Sequence, residues 1–204
     1  MATDFEADIQ GKAPPMTPGR AALIGLMDRY LAAFLDPFIT LLELHKLMYF
    51  LCEAGEESVS KLHFQKGPYG PYARNLRHVL NEMEGHYISG YGDGGDTPDK
   101  TLRLVPGARE EAEAILKAHQ HTQRHFEQVI DLIEGFETSF GLELLGTVHW
   151  VATRNGATTF DEVMRETYAW NRRKFQFTKH HLGVAWDVLH EKNWLSDDRQ
   201  RQYA

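Results

Sequence analysis

The chain has 204 residues, 25% of them charged, with a formal net charge of -7 and a single cysteine. That length allows one large domain or two small ones with a genuine core, and the lone Cys52 excludes an intrachain disulfide and fits a reducing cytoplasm. No apolar run is long enough for a transmembrane helix, the acidic N-terminus is no signal peptide, and the negative total does not suit a simple nucleic-acid binder.

Residues 1–16 are polar and aperiodic and read as a flexible N-terminal tail or linker. Thr17-Pro18 then places an N-cap before a proline at the first helical position, opening a helix to about Phe34. Thr40 and Glu43 have capping-box spacing, and the helix they start should end near Gly55. Its apolar face is wide, with Leu44, Leu47, Met48 and Leu51 around Cys52, so Cys52 reads as a buried structural thiol. A short strand is expected around Lys61–Phe64, followed by the loop Gln65-Lys-Gly-Pro-Tyr-Gly-Pro-Tyr-Ala73. Pro68 and Pro71 stiffen it, so Tyr69 and Tyr72 are either presented for recognition at small entropic cost or simply cover a helix end.

A third helix should run from about Pro71 to Met83. Two extended stretches, His86–Tyr91 and Thr101–Val105, flank a Gly/Asp-rich turn and read as a hairpin. A charged helix is expected from about Ala108 to Phe136, and three more segments follow. These are a helix over Leu142–Thr153, one over Thr159–Tyr168 capped by Thr158, and one over His180–Lys192 capped by Thr178. Asn193-Trp-Leu195 could begin a strand. The fold class is therefore mainly α with small β-hairpins (α+β). Two winged-helix-like units, over 17–107 and 138–204, are joined by a linking helix over 108–137. A loose likeness between Leu42–Phe50 and Leu142–Trp150 hints at an internal repeat.

Charge is laid out in blocks. Residues 61–81 carry Lys61, Lys66, Arg74 and Arg77 and no acid, whereas residues 82–99 carry Glu82, Glu84, Asp93, Asp96 and Asp99 and neither lysine nor arginine. Glu127, Asp131 and Glu134 fall on one helical stripe. Exposed acids of this kind serve solubility, or imitate DNA phosphates in front of a basic partner. His121 and His125 have the i, i+4 spacing of paired metal ligands, but the HExxH pattern is absent and a solvated polar face is the expectation, with no metal and no cofactor. Asp93, Asp96 and Asp99 lack EF-hand spacing. Walker, GxGxxG and GxSxG motifs are missing, so no catalytic residue is assigned.

The runs Leu44–Gly55, Phe64–Ala73, Leu76–Leu80 and Glu84–Asp93, with Met16–Ile24 before them, closely resemble the C-terminal domain of DarG antitoxins. A looser likeness connects the Lys-Leu-Met-Tyr and Tyr-Gly-Pro patterns with the Panacea antitoxin domain. In the DarG family an N-terminal macrodomain removes ADP-ribose from DNA, and the C-terminal domain blocks the DarT toxin, a DNA ADP-ribosyltransferase. The chain contains no macrodomain sequence, so the resemblance implies a cytoplasmic, non-enzymatic domain whose partner is a DarT-type toxin protein. As a DNA mimic it would use Glu82, Glu84, Asp93, Asp96 and Asp99 as phosphates and Tyr69, Tyr72 or Tyr91 as stacked bases, with Glu127, Asp131 and Glu134 as a second acidic stripe. The alternative is a DNA-binding winged-helix autoregulator of a toxin–antitoxin operon; direct contact with nucleic acid stays open, contact with a membrane is not expected.

Overall fold

Two helices that are buried almost all round form the centre of the computed structural model, which describes residues 12–34, 38–92 and 95–195. These are α2 (Leu41–Glu53) and α6 (Ser139–Arg154), and they pack on each other. Every residue from Leu41 to Leu51 is buried, including Glu43, His45 and Lys46, as a helix covered on all sides requires. The Thr40 capping box forms as expected: its hydroxyl accepts from the Glu43 N–H and the Glu43 carboxylate accepts from the Thr40 N–H.

Around this pair lie α1 (Pro18–Phe34), α4 (Ala108–Ala118) and α5 (Gln120–Ile133) on the α2 side, and α7 (Phe160–Trp170) and α8 (Lys179–Glu191) on the α6 side. A short strand, β1 (Ile39–Thr40), precedes α2, and between α2 and α4 stand α3 (Leu76–Met83) and four more: β2 (Phe64–Gly67), β3 (Gly70–Ala73), β4 (Ile88–Ser89) and β5 (Thr101–Leu104). The protein is mainly helical with small antiparallel sheets, as the sequence implies. The expected hairpin forms as β4 against β5, and β1 pairs with the other edge of β5. One apolar core runs through the helices from Leu23 to Trp194. Among the described residues no helix is long and apolar enough to cross a membrane.

Several boundaries differ from the sequence expectation. The helix expected across 108–136 is two helices broken at His119, whose φ of -120° and ψ of 74° are not helical. A straight helix of that length would extend about 44 Å, past the 17-residue α1; the break lets both halves cover α1. Residues 193–195 form a turn rather than a strand, with Trp194 buried beneath it. Residues 1–11 of the expected tail lie outside the described residues, whereas the Pro14 and Pro15 carbonyls accept from the Tyr87 hydroxyl and the Arg20 guanidinium.

The largest departure is at the Gly-Pro-Tyr segment. It is a β-hairpin, β2 paired with β3, in which Gly67 faces Gly70 across the two-residue turn Pro68-Tyr69. The third helix accordingly starts at Leu76 and not at Pro71. Pro71 is tolerated in β3 because its position, opposite Lys66, alternates away from the hydrogen-bonded pair at the turn. Gly70 has φ +98°, and a Cβ there would lie 3.2 Å from both Lys46 Cε and Thr147 Oγ1. Gly70→Ala should therefore lower stability by about 1–3 kcal/mol in urea denaturation; an unchanged midpoint would show that the turn relaxes without strain.

Candidate functional site

The hairpin turn is held from across the chain. The Trp170 indole N–H donates to the Gly67 carbonyl at 2.9 Å, and Asn171 Nδ2 donates to the Pro68 carbonyl at 3.0 Å. Arg173 lies over the Tyr69 ring with 4.5 Å to the centroid, and Lys66 lies over Trp170 at the same distance. These residues surround an open cleft of about 650 Å³, lined by Lys66, Tyr69, Trp170, Arg172 and Arg173 with no carboxylate among its walls. Two residues after Arg173 in the chain, Phe175 is 65% exposed and stacks on Tyr168 with 5.3 Å between centroids. A positive rim interleaved with rigid aromatic faces suits polyanions that carry planar rings.

Beneath the cleft lies a buried ionic network. Glu143 on α6 is fully buried, and its carboxylate accepts from Lys174 Nζ at 2.7 Å, from Arg173 at 3.0 to 3.2 Å and from Gln176 at 3.3 Å. Lys174 is wholly buried beside Trp170 and Phe177. Lys46, reaching in from α2, donates to the Pro71 carbonyl at 2.7 Å. Burial, with Lys174 alongside, pulls the Lys46 amine down to about 7 against the opposing pull of Glu143. Burial likewise lowers the Lys174 amine from its ordinary value. Gly70 and Gly146 leave room for the Lys46 stem, since a Cβ on either would fall within 3.3 Å of it. His45 receives the Ala73 N–H at 3.4 Å and packs on Tyr72; burial, then Lys46, holds its imidazole down to about 3, so it is neutral. The outer edge of β3 is thus satisfied by two neighbouring side chains of α2.

A second pocket of about 220 Å³ opens on the other side of the turn, between Leu42, His45, Tyr69, Tyr72, Asp96 and Pro98. It brings together three of the residues singled out in the sequence. Asp96 accepts from the Tyr72 hydroxyl at 3.1 Å and from the Tyr91 hydroxyl at 3.0 Å. Tyr91 is buried, so it offers no ring face for stacking, while Tyr69 and Tyr72 are half-buried. Glu84 accepts the Gly90 and Tyr91 N–H groups and shapes that loop, and Glu82 pairs with Arg20. Asp99 is exposed, and Asp93 lies outside the described residues. On the opposite helices Glu127 and Asp131 are exposed, Asp131 paired with Lys192 at 2.9 Å, and Glu134 sits at the C-cap of α5. Burial, with Glu53 and Glu56 nearby, pushes the Cys52 thiol up to about 12, in keeping with a structural role.

The sequence reading did not single out Lys46, Glu143, Trp170 or Asn171 as site residues. One signal was available: Lys46 and Glu143 are charges placed in the middle of runs that are otherwise apolar.

No family model matches the chain. A DNA ADP-ribosyl glycohydrolase of Thermus aquaticus is 43% identical over 182 residues, 89% of this chain and 49% of its own length. Proteins of the same name from Mycobacterium bovis and Mycobacterium tuberculosis are each 36% identical over 187 residues, 85% of this chain and 53% of their own. The chain spans about half the length of these relatives. Their name overturns what the DarG resemblance implied. That resemblance left the glycohydrolase to sequence outside this chain, yet the proteins matched along most of it are named for that activity. The assignments as a toxin-blocking antitoxin domain, as an operon autoregulator and as a non-enzyme are withdrawn. Acidic blocks and stiff aromatic turns misled because they describe a surface and not a reaction.

Two outcomes test the buried network. Glu143→Gln leaves Lys174 and Arg173 without their counter-ion and should cost about 3–5 kcal/mol in denaturant unfolding; a loss below about 1 kcal/mol would mean the cations find other partners. Lys46 titrates lower folded than unfolded, so the unfolded chain holds an extra proton between about pH 7 and 10, and the folded state gains stability as pH rises through that window. Wild type should therefore gain on Lys46→Met between about pH 6.5 and about pH 9; a difference independent of pH would place the ammonium in contact with water.

Proposed function

We propose that this chain works within a DNA ADP-ribosyl glycohydrolase and that the cleft beside the Gly-Pro-Tyr turn holds its DNA substrate. The observation that carries this reading is identity at 36 to 43%, over most of the chain, with proteins named for that activity. The local chemistry agrees. ADP-ribosylated DNA presents backbone phosphates, a diphosphate and planar bases, and the cleft offers Lys66, Arg172 and Arg173 beside Tyr69 and Trp170. Its positive charge is local: the chain as a whole stays acidic, which limits indiscriminate binding. A DNA substrate and a lone thiol fit the cytoplasm.

Arg172 and Lys66 are both exposed, so reversing their charge leaves the core intact. The protein should bind a single-stranded oligonucleotide carrying one ADP-ribose, with an affinity that falls steeply as salt rises. Lys66→Glu and Arg172→Glu should each weaken binding at least about tenfold and each reduce the salt slope by about 1. Release of free ADP-ribose, followed in the full-length protein, should slow for both variants at low substrate concentration. Equal binding by wild type and both variants would remove the cleft from the reaction, and absence of ADP-ribose release would remove the glycohydrolase reading itself.

A further inference from the structure

At the C-terminal end of α2, two histidines of α5 meet a carboxylate that comes from a different part of the chain. His121 and His125 share one face of α5, with ring centroids 4.6 Å apart and planes at 80°. Glu56 follows the end of α2, and its Oε2 lies 3.0 Å from His125 Nδ1. One ligand atom from each of the three residues lies within 4.8 Å of the other two. The edges of a tetrahedral zinc sphere with N and O ligands measure about 3.3 Å, so small side-chain rotations close the set.

From this arrangement we propose a divalent transition-metal site, suited to zinc, with Glu56, His121 and His125 as protein ligands and a fourth position open to solvent. Three features distinguish it from a solvated polar face. Glu56 is only 4% exposed, a position where a carboxylate is rarely left without a strong partner. Its other oxygen, Oε1, is held by the Ser58 N–H at 3.1 Å, the Ser58 hydroxyl and Thr122 Oγ1 at 3.2 Å, which orients Oε2 for a single-atom contact as outer-shell partners of metal ligands do. Finally, the three residues line a cleft of about 840 Å³, so a water or a substrate oxygen can complete the sphere, as in open zinc sites with three protein ligands.

The test is zinc binding by chelator-stripped protein, measured in competition with a chromophoric chelator and read in parallel as the zinc-dependent rise in Tm. Wild type should take up one equivalent and gain thermal stability with zinc. His121→Ala, which removes an exposed side chain, and His125→Ala should lose at least about tenfold in affinity and most of the Tm response. His119→Ala, an exposed neighbour outside the set, should behave as wild type. Glu56→Gln should match the histidine variants in affinity provided it keeps a cooperative melt. Equal zinc affinity in wild type and His121→Ala, or a loss in His119→Ala as large as in His121→Ala, would overturn the site. Neither outcome bears on DNA binding at the cleft beside the Gly-Pro-Tyr turn.

Discussion

A single carboxylate organises the region where the central helices meet the hairpin. Glu143 is taken wholly out of water and must be matched there, and the matching groups come from a segment some 30 residues further on: Lys174, Arg173 and Gln176. That requirement folds the stretch after α7 back over α6. It sets Trp170 and Asn171 against the Gly-Pro-Tyr turn, and it leaves Arg172 and Phe175 facing outward. A buried ion pair is a poor source of stability compared with a hydrophobic substitute, but it tolerates few alternative arrangements. Here it fixes which backbone carbonyls, Gly67 and Pro68, are read by which side chains.

The cleft is rigid for the same reason. Its walls are the two-residue turn Pro68-Tyr69, a tryptophan anchored by its indole N–H and an arginine that is both paired to Glu143 and laid over Tyr69. Little side-chain freedom remains to be lost when a ligand enters. The central helices share this economy. Residues one hundred apart meet where α2 and α6 cross: the Tyr49 hydroxyl donates to His149 Nδ1 at 2.7 Å, and Gly146 vacates the space that the Lys46 stem fills.

Much of the fold was legible because its signals are local. Thr40-Glu43 and Thr178 mark helix starts, the Gly/Asp-rich turn marks the β4–β5 pair, and apolar spacing gives both central helices. The failures are equally physical. The break at His119 has no glycine or proline to announce it and follows from how much of α1 must be covered. Proline-rich Gly67–Pro71 read as a loop because the edge position that lets Pro71 enter a strand is a property of the pairing, not of the residue. The candidate cleft was half visible: Tyr69 stood out, whereas Trp170 reaches it through a contact more than one hundred residues apart in sequence. Glu56 was invisible as a partner of His121 and His125 for the same reason, since only tertiary packing brings the end of α2 beside α5.

The separation between the Gly-Pro-Tyr turn and its clamp also imposes an order of events during synthesis. A chain made from its N-terminus can pair β2 with β3 as soon as residue 73 has emerged, but the Gly67 and Pro68 carbonyls wait for Trp170 and Asn171, and Lys46 waits beside them for its neighbours on α6. For roughly a hundred residues of elongation a basic, aromatic hairpin stands with its carbonyls open to solvent or to a chaperone. The last helix and a half are therefore what closes the domain, and interruptions of translation before residue 171 release a chain whose first half carries secondary structure without its finished surface.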